Sequence, residues 1–201
     1  MKNFTALLVS TISVGCLLYG CQSTPPRLPS PNSTGQATRN NCYSLLHQLL
    51  DDEKDVSLLR FIKREHTDVK GLIKKIARTS GVEAILLEEY AKNDPLIDLD
   101  ATRLPLGETA TRDAIASTKK SELLHQSGDE FELTLLLTQA EALSYAWHLA
   151  LVASENDRQS DRARALAGVS NDMKNLYQEV FALLLSKTKS SAANHVAAKG
   201  S

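Results

Sequence analysis

Residues 129–155 read DEFELTLLLTQAEALSYAWHLALVASE, and this run decides the fold. It holds no Gly, Pro, Lys or Arg, and it is dominated by Leu and Ala, both strong helix formers. At about 100° per residue, Leu135, Leu136, Ala142, Leu143, Ala146, Trp147, Leu149 and Ala150 share one broad face. Glu130, Thr134, Glu141, Ser144, His148 and Glu155 lie opposite. A helix with so wide an apolar face must bury it against other helices, so the run predicts the central helix of an α-helical bundle. Glu132 and Gln139 are the exceptions: seven residues apart, they fall near the middle of the apolar face.

Outward from this run, Ser127-Gly128 breaks the chain just before it, and residues 108–126 return to a helical pattern. Residues 93–107, NDPLIDLDATRLPLG, are bracketed by Pro95 and Pro105. That link is long for neighbouring antiparallel helices and predicts a crossing of the bundle. Val69, Leu72, Ile73, Ile76, Ala84, Leu87, Tyr90 and Ala91 form a stripe that predicts a helix over 67–92, with Thr67 as N-cap and Gly81 as a weak point. Leu45, Leu49, Val56 and Leu59 predict one helix over 42–64, or two with a kink at Asp51-Asp52-Glu53. After the central run, 156–160 is a polar turn. Leu166, Val169, Met173, Leu176, Val180 and Leu183 then follow near-heptad spacing over 161–185. No sustained polar–apolar alternation occurs, so the class is all-α, with the bundle domain at 41–186 and a polar, alanine-rich tail at 187–201 expected to be disordered.

The N-terminus carries a targeting pattern. Lys2 precedes a largely apolar run from Phe4 to Leu18, too short and wrongly flanked for an ordinary transmembrane helix. It ends Leu18-Tyr19-Gly20-Cys21, with Ser13-Val14-Gly15-Cys16 as a poorer competing site. The stretch resembles a bacterial lipoprotein signal peptide at 1–20. The resemblance implies that Cys21 becomes an acylated N-terminus that anchors the chain to a membrane. With Gln22 following the Cys, it implies the outer membrane, facing the periplasm, in a cell with two membranes. Residues 21–40 are rich in Pro, Ser and Thr and read as a disordered tether. Cys42 alone would then remain in the mature chain, excluding an intramolecular disulfide, and it reads as a small buried hydrophobe.

The formal net charge of −1 gives no footprint for nucleic acid. Charge is nonetheless uneven. Arg60, Lys63, Arg64, Lys70, Lys74, Lys75 and Arg78 outnumber Glu65 and Asp68, while 129–157 carry six acids and no Lys or Arg. The basic segment would suit anionic lipid headgroups, but two solvated faces of opposite sign explain the pattern more simply.

Candidate chemistry is sparse. Glu122 and His125 form a Glu-x-x-His pair, which on a helix can bring a carboxylate and an imidazole to one metal ion. Ala114, Ile115 and Thr118 lie near the same face, so the pair could point inward. The motif occurs once, whereas a dinuclear bundle needs it twice with two further carboxylates. With Glu132 as a third ligand, the site would take iron, manganese or zinc. The simpler reading makes Glu132, Gln139 and Arg112 a structural polar network, with Lys119 as the alternative cation, since a buried carboxylate must be paired. Glu141 and His148 share the polar face, and His47, His66 and His195 have no spacing that suggests shared ligation. No phosphate loop, nucleophile elbow or zinc-protease motif is present.

Ser127-Gly128-Asp129-Glu130-Phe131-Glu132, the helix after it, the last helix and the Leu104-Pro105 link resemble a ferritin-like family of bacterial envelope proteins of unknown function. That resemblance implies a ferritin-like four-helix bundle with an extra crossing helix. Those proteins commonly carry His in the central and last helices; here Gln139 and Met173 stand in the comparable regions. The expectation is therefore a lipid-anchored envelope module, binding or structural and not an enzyme, with no required cofactor and with an envelope protein as its possible partner. The competing expectation is a metal-binding or oxidoreductase bundle.

Overall fold

The computed structural model describes residues 31–56, 66–100 and 104–199, with side-chain detail between residues 34 and 189. Cys21, the signal segment and the tether up to residue 30 lie outside the described residues, as does the side chain of His195. Five α-helices and no strand occur among the described residues: α1 (Pro31–Lys54), α2 (Thr67–Asn93), α3 (Leu106–His125), α4 (Gly128–Asn156) and α5 (Ser160–Lys199).

The central run is α4, and its predicted face is the buried one. Leu135, Leu136, Leu143, Ala146, Leu149 and Ala150 are buried, together with Glu132 and Gln139. Ala142 and Trp147 are only half-buried. The most extensive packing is α4 on α5, followed by α1 on α4 and α1 on α2, with α2 on α5 closing the ring. Contacts between helices give their directions. Ser154 meets Ala163 and Glu132 meets Lys187, so α4 and α5 are antiparallel. Tyr43 stacks edge-on to Tyr90 and His47 faces Glu88, so α1 and α2 are antiparallel. Lys75 meets Glu179 and Asp94 meets Arg162, so α2 and α5 are also antiparallel. Tyr43 meets Asp157 and Glu53 meets Gln139, so α1 and α4 are antiparallel as well, and the two diagonal pairs run parallel.

Helix α3 is the return stroke this topology needs. It runs outside the ring, packs against α4 and buries only Leu123. The inward face predicted for Ala114, Ile115 and Thr118 is therefore exposed. The turn into α4 uses Gly128 at φ 59°, in the left-handed region that costs other residues about 1–2 kcal/mol.

Several helix ends differ from the expectation. Helix α1 begins at Pro31, so residues 31–40 are its first turns and not tether. A proline fits the first helical position, where its missing N–H has no partner anyway. Arg39 is buried, and Asn40 donates to the Leu96 carbonyl in the link after α2. Helix α1 ends at Lys54, just past the acidic run Asp51-Asp52-Glu53, whose carboxylates oppose the negative end of the helix dipole, and the rest of the predicted 42–64 segment, from residue 57 on, lies outside the described residues. At the other terminus α5 extends to Lys199, well into the predicted tail, where Ala-rich sequence has high helix propensity. Thr67 is the first residue of α2, and His66 is its N-cap.

Candidate functional site

Three polar clusters sit inside or at the ends of the bundle, and each forms where a core-facing position carries a polar side chain.

The first gathers around Glu132, whose side chain is 1 % exposed. Lys187 donates to its Oε2 at 2.7 Å, and the His66 backbone amide donates to Oε1. The His66 ring places Nδ1 2.9 Å from both carboxylate oxygens. Burial pushes the carboxyl up, but the Lys187 bond and both His66 bonds bring it below the ordinary carboxylate value. Lys187 also lies 3.9 Å from Asp68. Ligand atoms of His66, Asp129 and Glu132 fall within 4.8 Å of one another, the spacing a metal ion requires.

The predicted ligand set does not assemble. Glu132 lies on the inner face of α4, while Glu122 and His125 line an open surface groove of about 650 Å³ beside Ser121 and Glu130. His125 Nδ1 lies 2.7 Å from the Ser121 carbonyl, and Glu122 lies 3.9 Å from Lys119. Among the described residues, neither belongs to a group with metal-ligand spacing. The predicted structural network also divides. Arg112 donates to Glu108 at 2.7 Å and lies over the Tyr145 ring, because α3 runs outside the ring and cannot reach the core face of α4. Glu132 takes its cation from α5 instead.

The second cluster belongs to Gln139, which is 1 % exposed and hydrogen-bonds the Glu53 carboxyl from α1. Burial raises that carboxyl to about 7, opposed by the Gln139 bond and with Asp52 adding to the rise. Glu53 Oε2 and Gln139 Oε1 are shut off from solvent without a hydrogen-bond partner, as is Ser80 Oγ.

The third cluster closes the opposite end of the bundle, and nothing in the sequence reading anticipated it. Arg162 is buried and donates to Asp94 at 2.7 Å and to Asp157 at 3.0 and 3.1 Å. Tyr43 donates to Asp157 at 2.8 Å. Hydrogen bonding from Arg162 holds Asp94 below its usual range. Asp157 is pushed up by burial but ends lowered by bonds from Arg162, the Gln159 amide and Tyr43. A signal for it did exist. Arg162, Val169, Leu176 and Leu183 are spaced by seven, so Arg162 occupies a core position of α5.

A further group, His47, Asp51 and Glu88, has metal-ligand spacing at the surface, where Asp51 is bonded to Lys54. Glu141 and His148 are exposed, and His148 Nδ1 meets its own helix at the Ser144 carbonyl. Cys42 is buried and its thiol is raised by that burial, as befits a packing residue. No described helix is long and apolar enough to cross a membrane. Comparison with protein-family models, with curated proteins and with solved structures finds no match.

Proposed function

We propose that the chain is a lipid-anchored cell-envelope protein whose ferritin-like bundle serves as a binding or structural module. Leu18-Tyr19-Gly20-Cys21 supports the anchor. Two antiparallel hairpins joined by one long connection support the ferritin-like assignment, since that is the single-crossover form of the four-helix bundle. The observation that carries the module reading is the state of Glu132. Its carboxylate already holds the Lys187 ammonium at 2.7 Å and the His66 amide, so its lone pairs serve packing.

Fractionation and N-terminal mass of the wild type and of Cys21→Ala test the anchor. The wild type should be membrane-bound and acylated, and the variant should lose the acyl mass; an unmodified wild type released in soluble form refutes the anchor. Metal analysis of the purified chain tests the module reading, with no stoichiometric metal expected.

The second reading, a ferritin-like metal-binding or oxidoreductase bundle, draws on the convergence of His66, Asp129 and Glu132. Iron, manganese or zinc would have to displace Lys187 from Glu132. Stoichiometric metal that is lost in Glu132→Gln and in His66→Ala would establish this reading over the first.

A further inference from the structure

Helix α2 buries Val69, Ile73, Ile76, Ser80, Ala84 and Leu87, and turns its other side to solvent. That outer side begins with Lys70, Lys74 and Arg78, one per turn, continues with Val82 and Ile85, which are 60 % and 57 % exposed, and carries acids only at its far end, Glu88 and Glu89. Among the described residues none of these three cations has an ion pair. The acids nearby are engaged elsewhere: Glu179 with Lys75 at 2.6 Å, Asp68 with Lys187 at 3.9 Å, and Glu83 with Asp172.

The charge is also polarised across the molecule. Helix α4 lies diagonally opposite α2, and its exposed charges are acidic: Asp129, Glu130, Glu141 and Glu155. Helix α3, packed outside α4, balances Arg112, Lys119 and Lys120 against Glu108, Asp113 and Glu122, so that side offers an anionic surface no net attraction. Lysine ammoniums are point charges that need no matched geometry, and two exposed aliphatic side chains beside them can enter the apolar boundary below a headgroup layer.

We propose that the outer face of α2 docks on an anionic phospholipid surface through Lys70, Lys74 and Arg78, with Val82 and Ile85 entering the interface. The proposal deepens the anchored reading: the acyl chains would hold the protein at the membrane, and this face would set how the bundle lies on it. The distances allow it. Cys21 precedes Pro31 by ten residues, a reach of at most about 35 Å. Helix α1 packs beside α2, and packed helix axes lie about 8–10 Å apart, so that reach spans from Pro31 to a surface on which α2 lies.

The test uses the full chain carrying Cys21→Ala, so that acylation plays no part, co-sedimented with zwitterionic vesicles and with vesicles containing 3 in 10 (~30 %) phosphatidylglycerol. The ratio of the two partition coefficients cancels any apolar contribution shared by both vesicle types. Each cation near an anionic surface strengthens binding about fivefold. The triple change Lys70→Gln, Lys74→Gln, Arg78→Gln should therefore lower the ratio by about 100-fold with an unchanged melting temperature. Lys119→Gln with Lys120→Gln on α3 should leave the ratio unchanged, and Val82→Ser with Ile85→Ser should weaken partition to the anionic vesicles. Equal partition of the parent chain to both vesicle types overturns the proposal, as does a triple variant that binds like the parent. Binding to an acidic polypeptide or to a second copy of the chain, without preference for anionic vesicles, also overturns it and assigns the face to a protein partner. The anchor reading fails separately, on the N-terminal mass of the wild type.

Discussion

At the scale of single residues, Glu132 and Lys187 are a pair that neither side chain could form alone. A buried carboxylate without a cation must take up a proton or draw in water, and a half-buried ammonium without a counter-charge faces the same penalty. Removing one partner strands the other, at a cost of about 3–5 kcal/mol for a fully buried pair. Lys187 is 18 % exposed, which places this pair somewhat below that range. Glu132→Gln and Lys187→Met should each destabilise by about 2–3 kcal/mol, and the double change by much less than their sum. Urea unfolding of the four species checks this, and additive effects would dissolve the pair. Glu132 was legible as a buried polar residue because its position on the α4 stripe is fixed by periodicity alone. Its partner was half legible. Leu166, Met173, Val180 and Lys187 are spaced by seven, so Lys187 continues the core stripe of α5, but polar composition made residues 187–201 read as tail. His66 was not legible, because its contact runs through a backbone amide 66 residues away.

At the scale of elements, two glycines behave in opposite ways. Gly81 lies inside α2, and a Cβ there would meet the Lys54 Cβ at 3.6 Å, an ordinary contact. Gly81→Ala removes backbone entropy from the unfolded chain and should stabilise by about 0.5–1 kcal/mol. Gly128 is in the left-handed region with open space around it, so Gly128→Ala should destabilise by about 1–2 kcal/mol through backbone strain alone. Thermal melts of the two variants should move in opposite directions, and a Gly128→Ala protein as stable as the parent would show that the α3–α4 turn can relax. Helices α2 and α4 were legible nearly to the residue because their stripes are long and regular. The start of α1 was not, since Pro, Ser, Thr and Gly suggest a tether until Asn40 is seen to bond the Leu96 carbonyl and Arg39 to be buried. The placement of α3 was misread for a related reason. A weakly amphipathic helix does not say which side it turns inward, and here it turns almost nothing inward.

At the scale of the whole molecule, the clusters set how stability follows pH. Glu53 is raised from 4.5 to about 7, so the folded state keeps a proton that the unfolded chain releases. Its contribution is full below pH 4.5 and falls as the pH rises to about 7, by about 3 kcal/mol. Glu132, Asp94 and Asp157 are lowered, so their contributions are present above the ordinary carboxylate range and are lost as the pH falls below about 4. Stability should therefore peak in mild acid, near pH 4–5. Glu53→Gln should remove most of the decline toward neutrality and raise the urea midpoint at pH 8, whereas a parent profile flat between pH 4.5 and 7 would contradict a raised Glu53 carboxyl. The turn at Asp157 carries a consequence for the order of events in time. Its carboxylate binds the Gln159 amide and Arg162 close by in the chain, but Tyr43 lies 114 residues away. Loop closure favours near partners first, so the α4–α5 hairpin should assemble early and α1 should dock on it late. In stopped-flow experiments, Ser154→Ala, which removes a bond inside that hairpin, should slow refolding. Tyr43→Phe should leave refolding unchanged and speed unfolding, so that a chain still lacking its N-terminal helix passes through the transition state with its last hairpin already closed.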